Sequence, residues 1–407
     1  MPESFKPETP EQVCEAVAWA AAEESPLEIV SGGSKRAMGR PTNIANSLDV
    51  SALRGISLYE PEELVLSAGP GTPLSEIEQA LAGSRQQLAF EPPDLGPLLG
   101  GTAGKGTLGG AIACNLSGPR RVKAGAARDH FLGFSAVSGR GEVFKSGGRV
   151  VKNVTGYDLS KLMCGSWGTL GVMTSLTVKV LPAAESIRTV LVMGLDAEQA
   201  GQAMTAALNT PYEVSGAAWL PAPLAMRSGV PYVAGAKSTV TAIRVEGPKP
   251  SVEYRCAELR RQFGAMGETE ELHGHNSALF WRALRDVVPF AAEGDTRCVW
   301  RLSVPPAEGA MVLEELALET GGEAFLDWGG GLIWLAVDGD DAQHTAVRAS
   351  LPTAGGHATL IRAPEPVRAA VPVFQPPAPG IARLSRSVKE NFDPRGVLNP
   401  GRMYAEL

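Results

Sequence analysis

The sequence predicts an α+β protein with an N-terminal domain over residues 1–182, a second α+β domain over 183–380 and a closing tail over 381–407. Three observations lead there. Helix-like and strand-like segments alternate through the first part, with antiparallel turn signals between them. Two glycine-dense loops lie in that same part, at Ser31-Gly32-Gly33-Ser34-Lys35 and across residues 100–118. The character of the chain then changes after Pro182-Ala183-Ala184-Glu185. At 407 residues the chain is long enough for two sizeable cores.

In chain order, Thr9 is placed to cap a helix with Pro10 at its first position and Gln12 completing a capping box. Val13, Ala16, Val17 and Ala20 recur at helical spacing. Leu27, Ile29 and Val30 read as a short buried strand running into the first glycine loop, and residues 64–68 as another, ended by Gly69-Pro70-Gly71. Thr72-Pro73 then opens a helix to about Gly83. Residues 130–146 read as a hairpin around Gly139-Arg140-Gly141. Leu176, Val178 and Val180 alternate with polar residues as a half-buried strand ending at Pro182. The second domain mixes strands (189–193, 299–304, 332–337) with helices (198–208, 254–263, 312–320). Residues 364–379 carry six prolines and read as an extended connector to a short helix over 382–391.

The dense loop 100–118 is costly in chain entropy, so its glycines point to a ligand pressed against the backbone. Consecutive N–H groups in the Ser31–Lys35 loop suit an anion such as a diphosphate. Together the loops imply one large phosphate-bearing cofactor. Gly104-Lys105-Gly106-Thr107-Leu108-Gly109 also satisfies the GxGxxG spacing, with Asp129 downstream. The dinucleotide-fold reading fails because Glu91-Pro92-Pro93-Asp94-Leu95-Gly96-Pro97 stands where a buried parallel strand is required.

Composition narrows the classes. A net charge of −7 argues against a nucleic-acid partner. The local cluster Arg120, Arg121, Lys123 and Arg128 reads either as an attractor for an anion or acidic partner or as a solvated patch. Five scattered cysteines without CxxC spacing suit a reducing cytosol, and argue against a zinc ribbon or an iron–sulfur cluster on this chain. The polar opening and the lack of a long apolar run imply a cytoplasmic protein with at most peripheral membrane association.

Four segments in order carry a resemblance: Ser31-Gly32-Gly33-Ser34; Gly100-Gly101-Thr102-Ala103-Gly104; Lys152-Asn153-Val154-Thr155-Gly156-Tyr157-Asp158-Leu159; and Gly165-Ser166-Trp167-Gly168-Thr169-Leu170-Gly171-Val172. They resemble the FAD-binding domain of the vanillyl-alcohol oxidase / p-cresol methylhydroxylase (PCMH) family. The terminal Phe392-Asp393-Pro394-Arg395-Gly396 and Asn399-Pro400-Gly401-Arg402 are similar to that family's closing motif. Ser117-Gly118-Pro119-Arg120-Arg121, the run from Phe280 to Asp286 and Gly355-Gly356-His357 resemble more narrowly the FAD-binding subunits of bacterial glycolate oxidases. The resemblance implies a two-subdomain PCMH-type FAD-binding domain, a second cap or substrate domain and a tail that returns to the FAD domain. It implies oxidation of glycolate, a small 2-hydroxy acid, beside a larger FAD subunit and an iron–sulfur subunit that takes the electrons onward.

For the cofactor, the resemblance implies contacts from Ser31, Gly32, Gly33, Ser34 and Lys35 around the diphosphate. It implies Gly101, Thr102, Gly104, Thr107, Leu108 and Gly109 along the flavin and ribityl chain, with Asn115 and Gly118 beyond them. Gly168, Gly171 and Val172 would edge the adenine side, and Arg402 would reach back from the tail. Many family members tether FAD through a histidine, but the first loop has none, which points to non-covalent FAD. The His-x-Gly-Asp-Gly-Asn-x-His metal motif of the related hydroxy-acid dehydrogenases is absent, and His273-Gly274-His275 is a weak substitute on a strand face. Arg282, Arg285, Arg297 and Arg301 are candidate clamps for a substrate carboxylate, and no catalytic base stands out. A self-sufficient FAD oxidoreductase of another alcohol or hydroxy acid, or a non-catalytic flavin-bearing subunit, stays open.

Overall fold

The computed structural model describes residues 3–148 and 156–407. The chain opens with the helix Pro10–Ala22, whose Val13, Ala16, Val17 and Ala20 are buried. Thr9 caps it by accepting from the Gln12 amide, but Gln12 Oε1 reaches past Thr9 to the Glu8 amide at 2.7 Å, so the reciprocal box expected there does not close. The helix covers a small parallel sheet of Ser4–Phe5, Asn46–Asp49 and Leu27–Val30, in that order. Only Leu27 of the last strand is buried; Ile29 and Val30 are half-buried, because they face an open cleft.

A five-stranded antiparallel sheet follows, ordered Ile56–Glu60, Val65–Ala68, Val172–Lys179, Phe131–Val137 and Val143–Gly147. The hairpin and the alternating strand expected from the sequence are both in it. Leu64 sits just outside, at a left-handed φ of 58° that ends the preceding turn. The helices Leu74–Gly83 and Leu108–Ala113 pack against this sheet through Ile77, Leu81, Leu108 and Ile112. The stretch before Gly104 forms no parallel strand, in keeping with the failure of the GxGxxG reading.

Residues 186–362 supply all eight strands of the largest sheet, which is antiparallel throughout and ordered Thr269–His273, Ser186–Met193, Val240–Gly247, Gly216–Leu220, Glu323–Asp327, Leu332–Val337, Cys298–Ser303 and His357–Arg362. The helices Ala197–Leu208, Lys249–Phe263 and Gly309–Thr320 cover one face. Its other face packs on Met38, Leu95, Leu98 and Leu116 of the N-terminal region.

Two expectations are corrected here. The proline-rich stretch 364–379 contains a helix, Glu365–Ala370; Pro366 falls in its first turn, where the missing N–H has no intrahelical partner to lose. His273 and His275 do not share a strand face, because the strand ends at His273 and His275 belongs to the helix Gly274–Arg285. The last helix, Pro379–Phe392, is longer than expected at both ends.

Candidate active site

The strand Leu27–Val30 delivers the Ser31–Lys35 loop to one wall of an open cleft. Thr107, Gly109, Gly110, Ala113 and Cys114 form the opposite wall, Gly168, Gly171 and Val172 a third, and Asn399 and Arg402 close it from the tail. The two glycine loops touch at Gly32, where any Cβ would overlap the carbonyl oxygen of Lys105. Gly168 has φ +74°, and a Cβ there would stand 2.7 Å from Asn399 Nδ2.

The cleft is rich in unsatisfied donors. Ser31 Oγ is buried without a partner. Among the described residues, the N–H groups of Gly32, Gly33, Ser34 and Lys35 have no acceptor. Lys35 Nζ meets only Ser34 Oγ, at 3.3 Å, and burial lowers its pKa. A half-buried ammonium without a carboxylate partner beside an orphaned hydroxyl and free amides is a site for an anion. These residues therefore fit a diphosphate. Cys114, pushed up to about 11 by burial, is a neutral thiol in the wall.

The tail is built into the cleft. Asn399 Oδ1 accepts from the Ile29 amide at 2.8 Å, and its Nδ2 donates to the Trp167 carbonyl at 2.8 Å. Leu398 pairs in parallel with Leu27, extending the small sheet. Arg402 donates to the carbonyls of Lys35 and Arg36, both at 3.1 Å, so its guanidinium fastens the first loop. Asn399 was visible as part of the terminal motif, but its place in the wall rests on a contact spanning 370 residues.

Ser31, Gly32, Gly33, Ser34, Lys35, Thr107, Gly109, Gly168, Gly171, Val172 and Arg402 line the cleft. The other expected cofactor residues stand outside its lining. Leu108 is fully buried in the core. Gly101 and Thr102 are exposed in a turn fixed by the Gly101 amide on the Gly96 carbonyl, 2.8 Å. Gly104 borders a neighbouring cavity with Lys105 and Gly106. Asn115 accepts from the Arg128 amide at 3.3 Å. Gly118 O accepts from Trp328 Nε1 at 3.0 Å, so it is tied to a turn between two strands of the large sheet. The segment Lys152-Asn153-Val154-Thr155 lies outside the described residues. Gly110 of the glycine-dense loop and Trp167 of the Gly165–Val172 segment also line the cleft, as do Ala113 and Met173, which no sequence signal marked.

The expected basic patch is dispersed. Arg120 pairs with Glu91 and Glu246, both largely buried, and Arg244 completes this network on Glu91 at 2.9 Å. Burial raises the Glu246 carboxyl, but Arg244 and Arg120 outweigh it and leave the pKa at about 2. Lys123 pairs at the surface with Glu213. Of the candidate clamps, Arg285 is committed to Asp286, and Arg297 to Asp295 and Glu323. Arg282 is exposed beside a separate cavity. Arg282 and Arg301 have neither an ion pair nor a side-chain hydrogen bond among the described residues, and of the two only Arg301 is half-buried.

Comparison with known proteins agrees with this geometry. Residues 4–147 match the family described as FAD binding domain. The fold is similar to that of p-cresol methylhydroxylase, with a TM-score of 0.70 at 14% identity over 99% of this chain and 88% of that one. Glycolate oxidase subunit GlcD of Bacillus subtilis (strain 168) is 32% identical over 146 residues, 36% of this chain and 29% of that protein. Glycolate oxidase subunit GlcE of Escherichia coli (strain K12) is 38% identical over 398 residues, 97% of each chain. With nearly the whole of both chains aligned at that identity, the protein belongs to the family of glycolate oxidase subunit GlcE.

Proposed function

We propose that this chain is the FAD-binding subunit of a glycolate oxidase complex, oxidising glycolate to glyoxylate and passing electrons onward. The observation that carries the reading is the match to subunit GlcE along 97% of both chains, together with a cleft whose free donors suit a dinucleotide diphosphate. In this reading the division at residue 182 separates the FAD-binding domain from the second domain, residues 183–380, and the tail 381–407 completes the cleft.

When bound, FAD would supply a two-electron acceptor for oxidation of the substrate alcohol. The chain's own residues do the holding. Lys35 and the amides of residues 32–35 neutralise the diphosphate, Asn399 and Arg402 keep that loop in place, and Gly168 lets the third wall approach. The word "subunit" in the names of the relatives supports a multi-subunit assembly, in which a larger flavin subunit and an iron–sulfur subunit are the partners. No helix among the described residues is long and apolar enough to cross a membrane.

FAD is held without a covalent bond. Acid precipitation of the purified protein is expected to release all flavin absorbance into the supernatant; yellow colour kept by washed precipitate contradicts this. The partner dependence is tested by stopped-flow mixing of the FAD-loaded chain with glycolate, alone and in the assembled complex. The flavin band of the isolated chain is expected to bleach far more slowly than that of the complex. Equal rates would make the chain an autonomous dehydrogenase.

A further inference from the structure

Among the described residues most half-buried or buried arginines hold acceptors: Arg120, Arg188, Arg244, Arg285, Arg297 and Arg362 face carboxylates, and Arg255, Arg260, Arg348, Arg368 and Arg402 donate to backbone carbonyls. Among the described residues Arg40, Arg121 and Arg301 have no such acceptor, and only the last two lie together. The Arg121 guanidinium lies 4.1 Å from the centre of the Trp328 ring, and that of Arg301 lies 4.9 Å from it. Arg301 stands directly opposite Trp334 on one neighbouring strand and Thr359 on the other, so the three share a sheet face. Trp334 belongs to the core shared with Leu95, Leu98 and Leu116, which places Arg301 on the face turned toward the N-terminal region. His357, opposite Ser303, stands two residues farther along that face at the exposed rim.

We infer that Arg121 and Arg301, held against Trp328 with His357 at the rim, form a binding site for the carboxylate of a small 2-hydroxy or 2-oxo acid. The inference rests on the oxidoreductase reading above for the choice of acid, and on this cluster alone for the site. Two like charges gathered on one indole, with no acceptor among the described residues, repel each other and lose hydration, which the ring offsets only in part. A carboxylate at these guanidinium groups supplies the missing acceptors, since a guanidinium fork matches its two oxygens. Desolvation, and then Arg121, lower Arg301 to about 10, so it stays charged at neutral pH.

The adjoining Asp327 sets the ligand's charge. It is 2% exposed, accepts from the Trp328 amide at 2.6 Å, and is raised by burial to about 7. A carboxyl there tolerates a monoanion and opposes a dianionic phosphate. The diphosphate cleft has its own donors in Ser31 and Lys35, so the arginine pair is not needed for that part of the cofactor. The tie from Trp328 Nε1 to Gly118 O fixes the cluster to the loop that continues from the cleft-lining residues Ala113 and Cys114.

The test is equilibrium binding to the FAD-loaded chain, by calorimetry and by tryptophan fluorescence, with glycolate and glyoxylate as probes and inorganic phosphate as the competitor. Saturable binding of both acids in the millimolar range or tighter is expected, with Arg301→Gln weakening it about tenfold or more and Arg301→Lys weakening it less. Trp328→Phe should remove the fluorescence change while calorimetry still detects binding. Flavin content checks that each variant folds; should Arg301→Gln fail to fold, Arg121→Gln, on the short helix Arg121–Ala124, carries the same expectation. No saturable binding to wild type, unchanged affinity in the glutamine variant, phosphate binding as tightly as glycolate, or a loss of flavin instead of carboxylate affinity overturns the site. None of these readouts is turnover, so a failed carboxylate site leaves the FAD oxidoreductase reading to be judged by the stopped-flow experiment.

Discussion

Gly32→Val is expected to yield a folded protein that purifies with little or no flavin. The side chain would start inside the carbonyl oxygen of Lys105 and also press Thr107 Cγ2, 3.1 Å from the Cβ position. The obstacle is backbone, so no rotamer change relieves it; the two glycine loops must part. Such overpacking costs about 1–3 kcal/mol in a well-packed site. Here that cost falls on the relative placement of Lys35 and Thr107, so FAD affinity should drop roughly 10- to 100-fold. The eight-stranded sheet draws on none of these residues and should keep its structure. Flavin absorbance per protein, with far-ultraviolet circular dichroism as the folding check, reads the result. Gly83→Ala is the control, because a Cβ there meets nothing within 4 Å. Full flavin occupancy in Gly32→Val would remove the contact between the loops from the cofactor's requirements.

The parts of this fold that were legible in the sequence are those decided locally. The helix Pro10–Ala22 has its cap, its proline and its four buried residues within one short window. The strand Val172–Lys179 shows its two faces as simple alternation. The two glycine loops revealed the cleft because glycine density is itself a local signal. What the sequence did not reveal depends on distant pairs. Asn399 reaches Ile29 across 370 positions, and the Trp328 indole reaches Gly118 across 210. The basic run Arg120-Arg121 separates only in three dimensions: Arg120 turns to Glu246 and Arg121 to Trp328. Two misreadings had local causes. Prolines over 364–379 were weighed as breakers although Pro366 sits where a helix tolerates it. Within the loop 100–110, glycine density marked the whole segment, whereas Leu108 turns into the core.

The largest effect on stability is expected from Asp393→Asn, in the closing motif. Asp393 is buried, with its side chain fully covered, and holds three groups: Lys389 Nζ at 2.6 Å, the Leu398 amide at 2.8 Å and the Val397 amide at 3.0 Å. Lys389 donates further to the carbonyls of Thr169 and Leu398, both at 2.8 Å. Burial, working against Asp393, lowers the Lys389 pKa, so the ammonium depends on that carboxylate. Replacing the charge with an amide leaves a buried cation uncompensated, which costs about 3–5 kcal/mol. The damage should not stay local. Leu27 donates to the Val397 carbonyl, and the residues that follow carry Asn399 and Arg402 to the cleft. Asp393→Asn should therefore lower Tm by roughly 5 °C and weaken FAD binding in parallel. Replacing both partners, Lys389→Met with Asp393→Leu, removes the stranded charge but still orphans the amides of Val397 and Leu398. The double variant should thus recover part of the stability and little of the flavin affinity. Thermal melts and flavin titration separate these effects; a single variant that melts with wild type and keeps its flavin would show that the tail holds the cleft without this pair.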